Sequence, residues 1–139
     1  MRIHRTRTRP LFGDVDAMNV VYYGNYLRFF ELGRCELMRS GGGTYAQLQD
    51  QGYHLPVTEA HLRYRRPARY DQVITIETTV AWVKKASCRF DYRVVEEREG
   101  EEPLLLVSGY TCHGCVDQGG KVRPLPAWVI QILESYAEK

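Results

Sequence analysis

The strongest constraint on this chain is one helix-period segment followed by a run of strand-period segments. Between Tyr23 and Ser40, the residues Tyr26, Phe29, Phe30, Gly33 and Leu37 share one arc, about 100° wide at the helical period. Leu27 and Met38 widen that arc, while Arg28, Glu31, Glu36 and Arg39 take the opposite side. The pattern predicts a helix from Tyr23 to Ser40, stopped by Gly41, Gly42 and Gly43. Gly33 costs the helix about 1 kcal/mol of propensity. Its place on the apolar arc implies a close backbone approach to whatever the helix packs on. Behind the helix the period changes to two. Ile74, Ile76, Thr78, Val80 and Trp82 are expected to face one way in a strand over 73–82. Cys88, Phe90, Tyr92 and Val94 repeat the pattern over 88–95. Segments 54–64 and 104–117 read as further strands, the first interrupted by Pro56. Residues 3–9 read as an opening strand with Arg5, Arg7 and Arg9 on one side, closed by Pro10. Thr44 is positioned to cap a short helix through Asp50, and a last helix is predicted over Pro126–Tyr136.

The connections between the later strands are short, which implies antiparallel neighbours. One long helix must then cover one face of that sheet, an α+β layer arrangement. With 139 residues and no repeats or linkers, a single domain over 1–139 is expected. A net charge of +2 argues against a dedicated nucleic-acid binder. No run approaches the ~20 apolar residues of a membrane span, and the opening MRIHRTRTRP is basic without an apolar stretch. No membrane insertion and a cytoplasmic location are the expectations. Cys112 and Cys115 form a CxxC pair, but three residues apart on a strand they point to opposite faces, and no second ligand pair accompanies them. Buried small hydrophobes are the simpler reading, and no metal site is expected.

Several chemistries find no footing. There is no G-x-S-x-G elbow, no Gly-rich phosphate loop and no H-E-x-x-H. The four histidines, at 4, 54, 61 and 113, all lie in strand-like segments. What remains is the loop from Gly13 to Tyr23, which sets Asp14 and Asp16 just ahead of the long helix. A helix start presents unpaired N–H groups and positive partial charge, suited to a developing oxyanion. A carboxylate beside it can attack a carbonyl or activate water, which suffices for acyl transfer from a thioester. An Asp ahead of a helix is also common simply as a cap or turn former, so spacing leaves both readings open.

Residues 12–39, FGDVDAMNVVYYGNYLRFFELGRCELMR, closely resemble the signature of the 4-hydroxybenzoyl-CoA thioesterase-like hotdog family, including its YbgC-type branch. The segment Tyr64–Asp71, the Ala86-Ser87 turn with its following strand, and Gly109–Asp117 with Gly120 and Lys121 extend the resemblance over nearly the whole chain. It implies a hotdog fold, an antiparallel sheet wrapped around one long central helix. It also implies an acyl-CoA thioesterase that needs no cofactor and works as a homodimer or homotetramer. Asp16 matches the catalytic carboxylate and Asp14 a less essential acid. Tyr23 matches the position whose backbone N–H meets the thioester carbonyl. Tyr22 and Asn25 are implied substrate contacts, and Lys84 and Lys85 match a region that meets CoA phosphates. Arg65 and Arg66 are further candidates of that kind; a solvated turn is the plain alternative for the lysines. Tyr23 stands where many YbgC-type members carry His, and Asn19 where many carry Gly; Asn tolerates left-handed backbone. The segment VVYYGNYLRFF is also similar to polyketide thioesterases acting on carrier-protein thioesters. A hotdog hydratase would want a His beside the helix, and none lies between residues 5 and 53. A non-catalytic acyl-CoA-binding module is the remaining alternative.

Overall fold

A computed structural model describes residues 2–137. Strand β1 spans His4–Thr8, helix α1 Tyr26–Ser40, helix α2 Tyr45–Asp50 and strand β2 Tyr53–His54. Strands β3 (Val57–Tyr64), β4 (Ile74–Val83), β5 (Ser87–Glu96), β6 (Leu104–Gly114) and β7 (Val116–Asp117) follow, then helix α3 (Ala127–Ala137). The main sheet is antiparallel in the order β1-β4-β5-β6-β3, and β2 pairs with β7 in a small second sheet.

α1 lies on the main sheet because its apolar arc has nowhere else to be dry. Phe29, Phe30, Gly33 and Leu37 are buried, and Phe30 stacks on Tyr92 of β5 at 4.2 Å between centroids. Gly33 sits directly over β4. A methyl there would lie 2.7 Å from Cγ2 of Ile76 and closer still to the Thr78 hydroxyl. The expected close approach is thus real, and it brings the helix axis down onto the strand. β3 closes one side of the sheet, with one edge unpaired and every residue but Leu62 exposed.

Three local expectations are revised. Residues 54–64 are not one strand. Pro56 lacks an N–H, and the chain divides into β2 and β3, which join different sheets. The 104–117 segment divides likewise at Cys115, so that β7 can pair β2. Trp82 does not share the face of Ile74 and Ile76. A bulge between Val80 and Trp82 sets Trp82 opposite Arg89, and one extra residue reverses the alternation beyond it.

Candidate active site

The helix opens with a 3₁₀ turn over Tyr23–Asn25 before α1 proper. Ahead of it, residues 15–21 form a miniature hairpin in which Val15 bridges Val21. Its turn is closed by Asp16 N–H to Val20 O and Asn19 N–H to Asp16 O, both at 2.9 Å. Asn19 has φ 62°, the left-handed conformation that a short amide side chain tolerates.

Asp14 anchors this loop. Its carboxylate is buried, accepting the Leu11 N–H at 2.7 Å and the Arg28 Nε–H at 3.1 Å. Its carbonyl accepts the Tyr22 N–H and the Asn25 side-chain amide, both at 2.9 Å. Asn25 therefore ties the loop to the helix start. Sequence reasoning did not pick out Arg28; its signal was a cation on the first turn of the helix, facing a nearby acid.

Asp16, at the hairpin tip, is exposed. Its Oδ1 accepts the Met18 N–H at 2.8 Å, while Oδ2 has no hydrogen-bond partner among the described residues. No cation lies within ion-pairing distance of it there. One carboxylate oxygen is thus oriented by the loop and the other is open to a ligand or water.

Tyr23 has an N–H with no acceptor among the described residues, as the first position of a helical turn requires. Its carbonyl accepts the Tyr64 hydroxyl at 3.1 Å. Around it lies a mainly apolar cavity of about 250 Å³ lined by Val21, Tyr23, Tyr26, Tyr64, Arg65 and Arg66, with Pro67. Tyr26 is held by the Ala68 N–H at 2.9 Å, and burial raises its pKa. Tyr22 packs on Tyr23, with 4.5 Å between ring centroids, and the neighbouring Tyr23 side chain raises its pKa. Asp16 is not among the residues that line this cavity. Larger concavities exist, one against Trp128 and one on the outer sheet face, but neither is lined by Asp16 or Tyr23.

Lys84 and Lys85 are not part of this site within one chain. They sit in the β4–β5 hairpin, beyond the Val83–Cys88 pair. Tyr64 is level with Val107, Val94 and Ile76 across the sheet. Seven residues of strand therefore separate the lysines from that level, roughly 23 Å at the usual rise. Lys84 instead places its ammonium 4.5 Å from the Trp82 ring centroid.

Among the described residues no cluster of three or more His, Cys, Asp or Glu side chains is placed to hold a metal. Cys115, at the break between β6 and β7, is buried and Cys112 is half-buried, and all four thiols are free. His113 is buried away from the site, within hydrogen-bond distance of Leu55 O (3.0 Å) and the Thr111 hydroxyl (2.8 Å). No helix in the described residues is long and apolar enough to cross a membrane.

Residues 10–133 match the family model described as the thioesterase-like superfamily. The chain is 32% identical over 118 residues to an acyl-CoA thioesterase YbgC of Haemophilus influenzae, covering 84% of this chain and 82% of the relative. A hypothetical protein of Thermus thermophilus superposes with a TM-score of 0.87 at 30% identity, over 99% of both chains. A DHNA-CoA thioesterase of Staphylococcus aureus gives 0.86 at 26% identity, over 99% of this chain and 90% of its own.

Proposed function

The chain belongs to the thioesterase-like superfamily and is a thioester hydrolase of the hotdog fold, and from that premise we propose that it cleaves acyl-CoA thioesters to the free acid and CoA at the start of α1. The observation that carries this reading is the unpaired N–H of Tyr23, a residue that lines an aromatic cavity at the helix start, with Asp16 seven residues earlier in the same loop and one of its carboxylate oxygens free among the described residues. The thioester carbonyl docks against the Tyr23 N–H, where the helix start favours the negative charge that grows on its oxygen. Asp16 supplies the carboxylate, either adding to the carbonyl carbon or taking a proton from the attacking water. The tetrahedral adduct then expels the CoA thiolate, a good leaving group; attack by water gives the free acid directly, whereas attack by Asp16 leaves an acyl–Asp16 anhydride that a water then hydrolyses to the acid and the free carboxylate. Tyr26 and Tyr64 shape the cavity for the acyl end, with Tyr22 packed on Tyr23 beside it, and no cofactor enters the scheme.

The reading extends to a homodimer or homotetramer of a single domain, 1–139. An exposed, unpaired edge on β3 favours association. Exposed Phe12, Met18, Tyr22, Tyr23 and Tyr70 around the loop give a second copy an apolar surface to cover. Sedimentation of an active protein as a monomer would count against this part.

The direct test is thiol release from short, long and aromatic acyl-CoAs by the purified protein and by Asp16→Asn. As a general base Asp16 contributes on the order of 10²- to 10⁴-fold to kcat, so the variant should lose that much. Full activity in Asp16→Asn would remove Asp16 from the mechanism. Hydrolysis confined to carrier-protein thioesters would move the activity to the polyketide type. CoA binding without any hydrolysis would leave a binding module.

A further inference from the structure

We infer that Arg63, Arg65 and Arg66 form the site for the phosphate groups of the nucleotide end of CoA, a role that rests on the thioesterase reading above and gives Arg63 a function that resemblance did not suggest. The first observation is one of charge. Of the fifteen arginines, ten form ion pairs with carboxylates. Among the described residues, the five without a carboxylate partner are Arg2, whose guanidinium lies 4.1 Å from the Tyr136 ring centroid, and Arg63, Arg65, Arg66 and Arg69. Four uncompensated cations within seven residues repel one another, and an anion would relieve that repulsion.

The second observation is the shape of the surface they line. Arg63, Arg65 and Arg66 border a polar groove of about 490 Å³ with Tyr64, Leu104 and Leu105. That groove shares Tyr64, Arg65 and Arg66 with the apolar cavity at the Tyr23 N–H. The two hollows meet around the end of β3. Leu62 packs toward the core, so Arg63 points to the opposite face of the sheet, in register with Ser108. A ligand occupying both hollows has an apolar end under the helix and an anionic end on the outer face. An acyl-CoA has this polarity: thioester and acyl group at one end, phosphates at the other, and a flexible pantetheine arm between.

The third observation concerns the backbone. The N–H groups of Arg65 and Arg66 both reach Leu106 O, at 2.9 and 3.1 Å, which fixes the segment against β6. Among the described residues the guanidinium groups of Arg63, Arg65 and Arg66 have no hydrogen-bond or carboxylate partner, which leaves their forked donors open to phosphate oxygens. Lys84 and Lys85 are distant from both hollows in the same chain.

The test compares one acyl group carried on CoA and on pantetheine, which keeps the thioester and arm but has no phosphates. Wild-type protein should prefer the CoA thioester in kcat/KM by at least about tenfold. Arg63→Gln should cut that preference severalfold through KM with kcat held, and Arg63→Gln/Arg66→Gln should bring it close to one. Raising the salt concentration should erode the wild-type preference in the same way. Calorimetry with CoA itself reads the site independently of turnover, and its Kd should weaken in parallel in both variants. The inference is overturned if wild type treats the two thioesters alike, or if the variants lose both equally. It is also overturned if Lys84→Gln/Lys85→Gln abolishes the preference while Arg63→Gln keeps it, or if only carrier-protein thioesters feel the arginines. Arg63-dependent CoA binding without hydrolysis of either thioester would refute the hydrolase reading and keep the phosphate site. Equal hydrolysis of both would do the reverse.

Discussion

Replacing Gly33 by Ala sets two effects of known size against each other. Alanine improves helix propensity by about 1 kcal/mol, so an exposed mid-helix glycine would be stabilised by the change. Here the new methyl would lie 2.7 Å from Ile76 Cγ2 and nearer still to the Thr78 hydroxyl. Ile76 and Thr78 are both fully buried, and overpacking a tight core costs about 1–3 kcal/mol. The expected net is a loss of about 1 kcal/mol, with α1 lifted from β4. Thr78 Oγ1 is buried without a hydrogen-bond partner among the described residues, so Thr78→Ala should cost little. In the double variant the methyl gains part of the space it needs, and the two changes should couple favourably by about 0.5–1 kcal/mol. Urea denaturation of the four proteins, read as midpoints at constant m, measures the cycle. Because α1 carries the Tyr23 N–H, Gly33→Ala should also lower kcat/KM, and the double variant should recover part of it. A Gly33→Ala protein more stable than wild type would refute the argument, since propensity would then outweigh contact.

Three further outcomes are expected. Burial pushes the His113 pKa down from 6.5 to about 4, so the unfolded chain binds a proton that the folded one does not between these values. Stability should therefore fall by up to about 3 kcal/mol as pH drops through that window, and His113→Gln should flatten the slope in pH-dependent denaturant midpoints. Arg28→Met removes the partner of the buried Asp14 carboxylate and should cost about 1–3 kcal/mol by urea denaturation, with a raised KM as the loop loosens. Asn19→Val at φ 62° should destabilise by about 1 kcal/mol or more and depress kcat, whereas Asn19→Gly should leave the urea midpoint close to wild type.

Local patterning in the sequence determined which segments become helix and strand, and which face of each is dry. The arc of Tyr26, Phe29, Phe30, Gly33 and Leu37 needs no partner to be recognised, and Phe90, Tyr92 and Val94 declare their face by period alone. The left-handed turn at Asn19 was reached through the resemblance, whose members often carry Gly there, together with the tolerance of Asn for that backbone. Tertiary structure decided what depends on distance between elements. The bulge beyond Val80 turned Trp82 outward, since its position is set by pairing with Arg89 and not by its own neighbours. Asp14 became an anchor only when α1 brought Arg28 to it. Lys84 and Lys85 were separated from Tyr23 by the length of a strand, while Arg63, Arg65 and Arg66 gathered around its cavity and its adjoining groove. Charge in a sequence has sign but no address, and only packing of the sheet and helix supplies one.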